Sequence, residues 1–253
     1  STREENWNAL SHGLGFLAAL VALPFLIHLS VSRGDPFGVV SSVIFGTTML
    51  LTLGASTVYH ASRSPRNRRI LQIIDHMSIY LLIAGSYTPL CLTTLRGPWG
   101  WSLFGVVWGM AITGVLLKTR FTGRFEVLST TMYLAMGWLC LVAVVPMFEL
   151  LQAGSLVYLL IAGIAFSTGV AFYLQDHRRG FHFAWHLFVM AGCAGLYGAV
   201  FMEIARACRR PGVPARTWEV REGPAGDLTR RPVLRCMRQA VCANRLLGGM
   251  FAP

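Results

Sequence analysis

The sequence predicts an all-α fold, a polytopic bundle of seven transmembrane helices, and three observations support that prediction. Hydrophobic residues make up 54% of the chain and charged residues only 13%, against roughly 25% charged residues in soluble domains. The apolar residues fall into blocks of about 20, the length that crosses the hydrocarbon core of a bilayer. Short polar connections separate these blocks, as in a membrane protein with several spans.

Helices are predicted wherever an apolar block lies between two turn signals. Gly or Pro occurs in each of the connections at 33–36, 64–67, 96–98 and 152–154, where such residues begin or end helices. Glycines scattered within the blocks indicate close packing of helices in lipid. The seven predicted helices cover residues 9–31, 37–60, 70–94, 99–117, 126–145, 155–174 and 182–205.

The distribution of basic residues predicts the orientation of the bundle. With the N-terminus inside, the inner connections hold nine basic residues and the outer connections two, Arg33 and Arg96. Since cytoplasmic loops are enriched in Lys and Arg, we expect a cytoplasmic N-terminus and, after seven crossings, a C-terminus outside. The nine are Arg63, Arg66, Arg68, Arg69, Lys118, Arg120, Arg124, Arg178 and Arg179.

The formal net charge of +11 comes mainly from the C-terminal segment. Residues 206–253 hold ten arginines against three acidic residues, with many Pro and Gly and no helical or strand period. We predict a seven-helix transmembrane domain over residues 1–205 and a basic, largely disordered tail over 206–253. The membrane body shows no basic groove with interleaved aromatic residues, so nucleic acid is not an expected partner.

Five polar residues stand where the predicted helices should be apolar, which makes them functional candidates. Ser56 and His60 lie one turn apart at the end of the second helix. Asp75 lies in the first turns of the third helix, and His182 and His186 open the seventh. Because the second helix ends where the third and seventh begin, we expect all five side chains at one membrane depth.

Three of these residues have the chemistry of a metal site. His182 and His186, four residues apart, present both rings to one ion, and His60 offers a third nitrogen from a facing helix. Three neutral imidazoles suit Zn²⁺ and leave its fourth position open, as in catalytic zinc sites. The six cysteines form no CxxC pair, so a thiolate zinc site is not predicted. The alternative is that the histidines only make polar contacts between helices.

The remaining polar residues are assigned roles around the predicted zinc. Asp75 is the expected base, or the acceptor that orients a water molecule, and Ser56 is the expected donor to an oxyanion. Glu5, Asn8 and His12 share one face of the first helix. They either support or gate the metal site or belong to a terminal turn that meets polar loops. Glu203, near the outer end, is attributed to interfacial anchoring.

At these positions the chain resembles the hemolysin III family, the bacterial branch of the progestin and adiponectin receptor family, over residues 4–205. Glu5, Asn8 and His12 have the spacing of the first family motif. Ser56 and His60, followed by residues 75–76 and 79–89, resemble the second motif, and residues 182–186 resemble the third. The resemblance implies seven helices with a cytoplasmic N-terminus, in the bacterial inner membrane. It also implies zinc on His60, His182 and His186, with Ser56 and Asp75 beside the metal.

Three functions are compatible with this sequence. Alkaline ceramidases belong to the wider superfamily, which implies a zinc-dependent hydrolase acting on a lipid amide or ester, with membrane lipid as the substrate. The hemolysin name implies instead a pore-forming cytolysin with structural zinc, although residues 99–174 show no polar stripe. A receptor-like sensor with zinc as a structural clamp is the third possibility.

Overall fold

The computed structural model describes residues 2–206, and this part of the chain is helical, with no β-strand. Seven of its helical segments are long and apolar enough to cross a membrane, which confirms the predicted fold class. The helices are α1 (Thr2–Val31), α2 (Pro36–Ala61), α3 (Pro65–Leu92), α4 (Pro98–Phe121), α5 (Glu126–Trp138), α6 (Val144–Leu150), α7 (Ala153–Tyr173) and α8 (Phe181–Arg206). The predicted tail lies outside the described residues apart from Arg206, so it stays a prediction.

Proline starts three of the spans. Pro36, Pro65 and Pro98 occupy first-turn positions, where a missing backbone N–H costs nothing and the fixed φ already suits a helix. Asp35 caps α2, since its carboxylate accepts from the Phe37 amide at 3.2 Å. Gly34, with φ of 66°, supplies the left-handed conformation of this turn. The connections predicted from Gly and Pro therefore end and begin helices as expected.

The fifth span differs from the single helix that the sequence predicts. It consists of α5, a 3-10 turn at Leu139–Ala143 and the short helix α6. The Tyr87 hydroxyl from α3 lies at this break, 2.9 Å from the Met136 carbonyl, 2.8 Å from the Gly137 carbonyl and 2.9 Å from the Cys140 amide. In lipid, backbone groups freed by a helix break need such partners. Tyr87 therefore makes the break tolerable. The local sequence signal is Pro146, which has no backbone N–H to donate to the Val142 carbonyl four residues earlier.

Large apolar side chains cover much of the surface of the bundle, while several small hydroxyl-bearing side chains are buried between its helices. Large apolar side chains such as Phe25, Val127 and Phe148 are 65–70% exposed, whereas Ser41 and Thr52 on α2 are buried. Lipid solvates apolar surfaces, so small and hydroxyl-bearing residues go to the contacts between helices, where backbones approach closely. This arrangement is the one expected of a membrane bundle.

Two apolar clusters set the positions of the helices that carry the candidate site. One joins α1, α2 and α8 through residues such as Leu26, Phe45 and Val189, and the other joins α3, α4 and α5 through Tyr80 and Val107. The first cluster holds α8 against α1 and α2. It therefore brings the start of α8 to the end of α2.

At the opposite end of the bundle, Glu203 of α8 is buried and does not act as an interfacial anchor, so that interpretation is wrong. Its carboxylate accepts from the Thr94 hydroxyl at 2.9 Å, the Gln152 amide at 2.8 Å and the Ser155 hydroxyl at 2.6 Å. Two of these donors lie at the start of α7: the backbone amide of Gln152, the N-cap residue, and the side chain of Ser155 in the first turn. Glu203 thus joins α8 to α7 and to the turn after α3.

We predict that Glu203→Ala lowers the free energy of unfolding by about 2 kcal/mol, because it leaves buried donors without an acceptor. The matched control is Glu149→Ala, since Glu149 is an exposed residue of α6. Thermal unfolding midpoints in detergent micelles measure the difference. Equal midpoints for the two variants would show that the Glu203 contacts do not stabilise the bundle.

Candidate metal centre

The three predicted metal ligands lie together at one end of the bundle. His60 is in the last turn of α2, and His182 and His186 are in the first two turns of α8. One ring nitrogen of each lies within 4.8 Å of the others. His60 and His186 are only 2% and 1% exposed, and His182 is partly buried. The arrangement supports a metal-binding triad, while the identity of the metal stays a prediction.

The contacts of His60 indicate that its Nε2 atom faces the metal position. Its Nδ1 lies 2.7 Å from the Glu5 carboxylate, which can only accept, so Nδ1 carries the proton and Nε2 keeps its lone pair. That Nε2 lies 3.4 Å from Nε2 of His182. Two nitrogens bound tetrahedrally to zinc at 2.0–2.1 Å are about 3.3 Å apart. The donor set therefore fits Zn²⁺, since a cation between these atoms would satisfy both.

Glu5 also makes contacts beyond His60. Its second carboxylate oxygen accepts from Arg68 of α3 at 2.6 Å, so the carboxylate bridges α2 and α3. A carboxylate behind a ligating histidine fixes the orientation of the ring and makes it a better ligand. Of the two interpretations left open for the α1 residues, the position of Glu5 favours support of the metal site.

Asn8 and His12 lie close to His186 without bonding to it through their side chains. The His12 ring stacks on the His186 ring, with centroids 3.8 Å apart and planes at 23°. Asn8 and His12 are buried, and within residues 2–206 neither the Asn8 side-chain oxygen nor a His12 ring nitrogen makes a well-formed hydrogen bond. His12 therefore packs against a candidate ligand and leaves its nitrogens available to the adjoining cavity.

Asp75 and Ser56 line that cavity together with His182 and His186. The cavity has a volume of about 230 Å³. The Ser56 side chain lies close to the Asp75 carboxylate, and Ser56 is 2% exposed. Both predicted catalytic residues therefore face the same space as the histidines, while their catalytic roles stay predictions.

Sequence reasoning missed a second group of polar residues at this cavity. Lys118 was counted as a loop residue, but α4 continues to Phe121 and buries Lys118 to 2% exposure. Its ammonium lies 3.2 Å from the Glu126 carboxylate and 3.5 Å from Nδ1 of His76, and the Tyr173 hydroxyl donates to Glu126 at 3.3 Å. In the sequence, this group was indicated by the acidic residue Glu126 at the start of the predicted fifth helix.

A turn with two left-handed residues positions Glu126. Gly123 has φ of 80° and Phe125 has φ of 55°, a conformation that is costly for an aromatic residue. The Gly123 amide donates to the Glu126 carboxylate at 3.0 Å. Glu126, His76 and Tyr173 all line the polar cavity. The ion pair thus joins α3, α4, α5 and α7 around the wall of the cavity that faces the histidines.

An apolar cavity of about 150 Å³ adjoins the polar one. Thr52, Ile79, Trp185 and Val189 line both spaces. Its other lining residues are mainly large apolar side chains of α3, α5, α7 and α8. A ligand with a polar group and a hydrocarbon chain would match this pair of cavities.

We predict that the purified protein retains about one zinc ion per chain, and that His60→Ala loses most of it because one of three nitrogen ligands is removed. His177→Ala is the matched control, since His177 is exposed in the connection before α8. Elemental analysis after removal of free ion measures both variants. Equal zinc in His60→Ala and wild type would exclude the triad as the metal site.

Comparisons with known proteins agree with this architecture. The family model described as "Haemolysin-III related" matches residues 1–197. The "Hemolysin-3 homolog" of Bacillus subtilis (strain 168) is 41% identical over 198 residues, covering 78% of this chain and 93% of that protein. "Hemolysin-3" of Bacillus cereus is 40% identical over 202 residues, covering 80% of this chain and 92% of that protein.

A more distant relative comes from animals. The human "Monocyte to macrophage differentiation factor" is 27% identical over 206 residues, covering 79% of this chain and 84% of that protein. No solved structure matches the chain. The family model spans residues 1–197, which include all three histidines of the candidate metal centre, so this integral membrane protein belongs to the Haemolysin-III related family.

Proposed function

We propose that this protein is a zinc-dependent intramembrane hydrolase that acts on an amide or ester of a lipid. One observation carries the proposal: three imidazoles converge, and two of them, those of His182 and His186, line a polar cavity together with the Asp75 carboxylate and the Ser56 hydroxyl. A structural zinc site is normally closed by four protein ligands. Within residues 2–206 the cluster provides three, which favours a site with room for a substrate.

Zinc bound here would supply a Lewis acid with an open coordination position. Asp75 would accept a proton from the attacking water and later deliver it to the leaving group. Ser56 lines the cavity with Asp75 and has one hydroxyl proton to donate. Rotation about the Ser56 χ1 angle would direct that proton to the oxyanion that forms on the substrate carbonyl.

The two adjoining cavities support a lipid as the substrate class. A scissile amide or ester would lie in the polar cavity beside the histidines, with its acyl chain in the apolar cavity behind Thr52 and Ile79. Burial of each methylene favours binding by about 0.8 kcal/mol. The chain would therefore contribute much of the affinity, and the polar groups would orient the carbonyl.

We also propose that the metal centre faces the cytoplasm, in a bacterial inner membrane. The helix ends around the site carry the basic residues counted above, including Arg63, Arg66 and Arg69, which are exposed. A cytoplasmic position of these residues agrees with the positive-inside rule.

A cytolysin is the second candidate, because relatives at 40–41% identity carry the name hemolysin. That name belongs to those relatives and does not establish an activity of this chain. In this chain, the outward faces of α4 and α7 are apolar, with Val106, Ile112, Leu160 and Ile164 about half exposed. Such faces suit contact with lipid better than the lining of an aqueous pore.

We predict that Asp75→Asn keeps its zinc but lowers turnover at least about 100-fold, since a general base typically contributes that much. His186→Ala should lose both zinc and turnover. The assay follows a fluorescent N-acyl amide and the matching ester in lipid nanodiscs. Asp35→Asn is the matched control, because Asn also caps helices well and Asp35 lies at the opposite end of the bundle.

Two results would contradict the hydrolase. Turnover retained by zinc-free His186→Ala would exclude the metal from the reaction. Turnover retained by Asp75→Asn would exclude Asp75 as the base.

Dye release from sealed vesicles separates the hydrolase from the cytolysin. We predict that the wild-type protein releases no more dye than the His186→Ala variant, because hydrolysis of a few lipids leaves the bilayer closed. Rapid release by both proteins at equal doses would favour the cytolysin instead.

A further inference from the structure

The three candidate ligands all require the proton on Nδ1 if Nε2 is to bind the metal. For His60 the Glu5 carboxylate holds that proton. For His182 the nearest acid is Asp176, 3.9 Å from Nδ1. For His186 the partner is a hydroxyl on α1, that of Ser11, whose Oγ lies 3.3 Å from Nδ1. Neither motif spacing nor helix position singled out Ser11.

The hydrogen bonds of Ser11 determine which atom donates in this contact. A serine hydroxyl has one proton to donate and two lone pairs to accept with. The Ser11 proton goes to the Asn8 carbonyl at 2.8 Å. Ser11 Oγ is therefore an acceptor towards His186, and Nδ1 of His186 must be the donor.

Burial makes this contact more consequential than the same contact at a surface. Ser11 is 7% exposed and His186 is 1% exposed, so water does not compete for either atom. The stacked His12 ring, the next residue along α1, holds the plane of the His186 ring. Ser11 and His12 together determine both the orientation and the proton position of this ring.

We propose that Ser11 is a positioning residue for the metal centre, which holds His186 as the Nδ1–H tautomer and so directs its Nε2 lone pair at the metal. The proposal rests on the proposed zinc site and extends it to a residue of α1. In the other tautomer, the Nδ1 lone pair would face the Ser11 hydroxyl oxygen, and Nε2 would carry a proton in the metal position.

The test compares three variants by zinc affinity, measured in nanodiscs by competition with a chromophoric chelator. Ser11→Ala should weaken zinc binding about tenfold, at the lower end of the effects of such supporting residues. Ser11→Thr keeps the hydroxyl and should restore affinity to within about twofold of wild type. Ser41→Ala is the matched control, because Ser41 is also buried and also donates to a carbonyl three residues back, that of Gly38.

A second readout follows the proton itself. Nitrogen-15 spectra of histidine-labelled, metal-free protein distinguish the two tautomers of each ring. His186 should be the Nδ1–H form in wild type and in Ser11→Thr, and a mixture of both forms in Ser11→Ala. A structural defect alone would not change this ratio while the thermal midpoint matches that of Ser41→Ala.

The outcomes separate this proposal from the one on which it rests. If the wild-type protein binds no zinc, the proposed function and the role of Ser11 fail together. If wild type binds zinc and Ser11→Ala binds it equally tightly, or the tautomer ratio of His186 does not change, only the role of Ser11 is overturned. An equal loss of affinity in Ser41→Ala would likewise overturn it.

Discussion

Inside a bilayer, a buried polar group must find its partner within the protein, because lipid offers none. The candidate metal centre depends on this constraint, since it places three imidazoles among membrane spans. The first turns of α1 provide much of what the site needs: Glu5 bonds to His60 and Ser11 to His186. Glu4 accepts from the Gly180 amide at 2.8 Å, just before α8. The same turns therefore support the ligands and join α1 to the start of α8.

The same constraint explains the other polar features of the bundle. The Tyr87 hydroxyl is a hydrogen-bond partner of the backbone where the fifth span breaks. Glu203 accepts hydrogen bonds from the Gln152 amide and the Ser155 hydroxyl at the start of α7. Lys118 and Glu126 neutralise each other beside the polar cavity. Removing one member of a buried ion pair is costly because the other charge stays behind. The walls of the cavity are thus held by paired groups, while Asp75 lines the cavity beside Ser56, His182 and His186.

Several features followed from local sequence alone. The length of each apolar block determines that it spans the membrane, and the spacing of His182 and His186 places both on one face of a helix. That His60 lies at the same end of the bundle as these two residues followed from the alternating directions of successive spans. Those directions can be inferred from the number of spans alone. The start of α1 was misplaced, at residue 9 instead of Thr2, because its first turn is polar. Hydropathy does not identify polar helical residues, such as these, that are stabilised by contacts with other segments.

The sequence by itself therefore determined the seven spans and the end of the bundle at which the polar residues meet, because both depend on hydrophobic length and helical period. Only the tertiary structure decided which atom of each ring faces the metal position and which side chains hold it there. Those choices depend on contacts between residues far apart in the chain, such as Ser11 with His186 or Glu5 with His60. A single hydroxyl or charged group leaves no periodic pattern in the sequence, so its partner can be identified only from the packing of the helices.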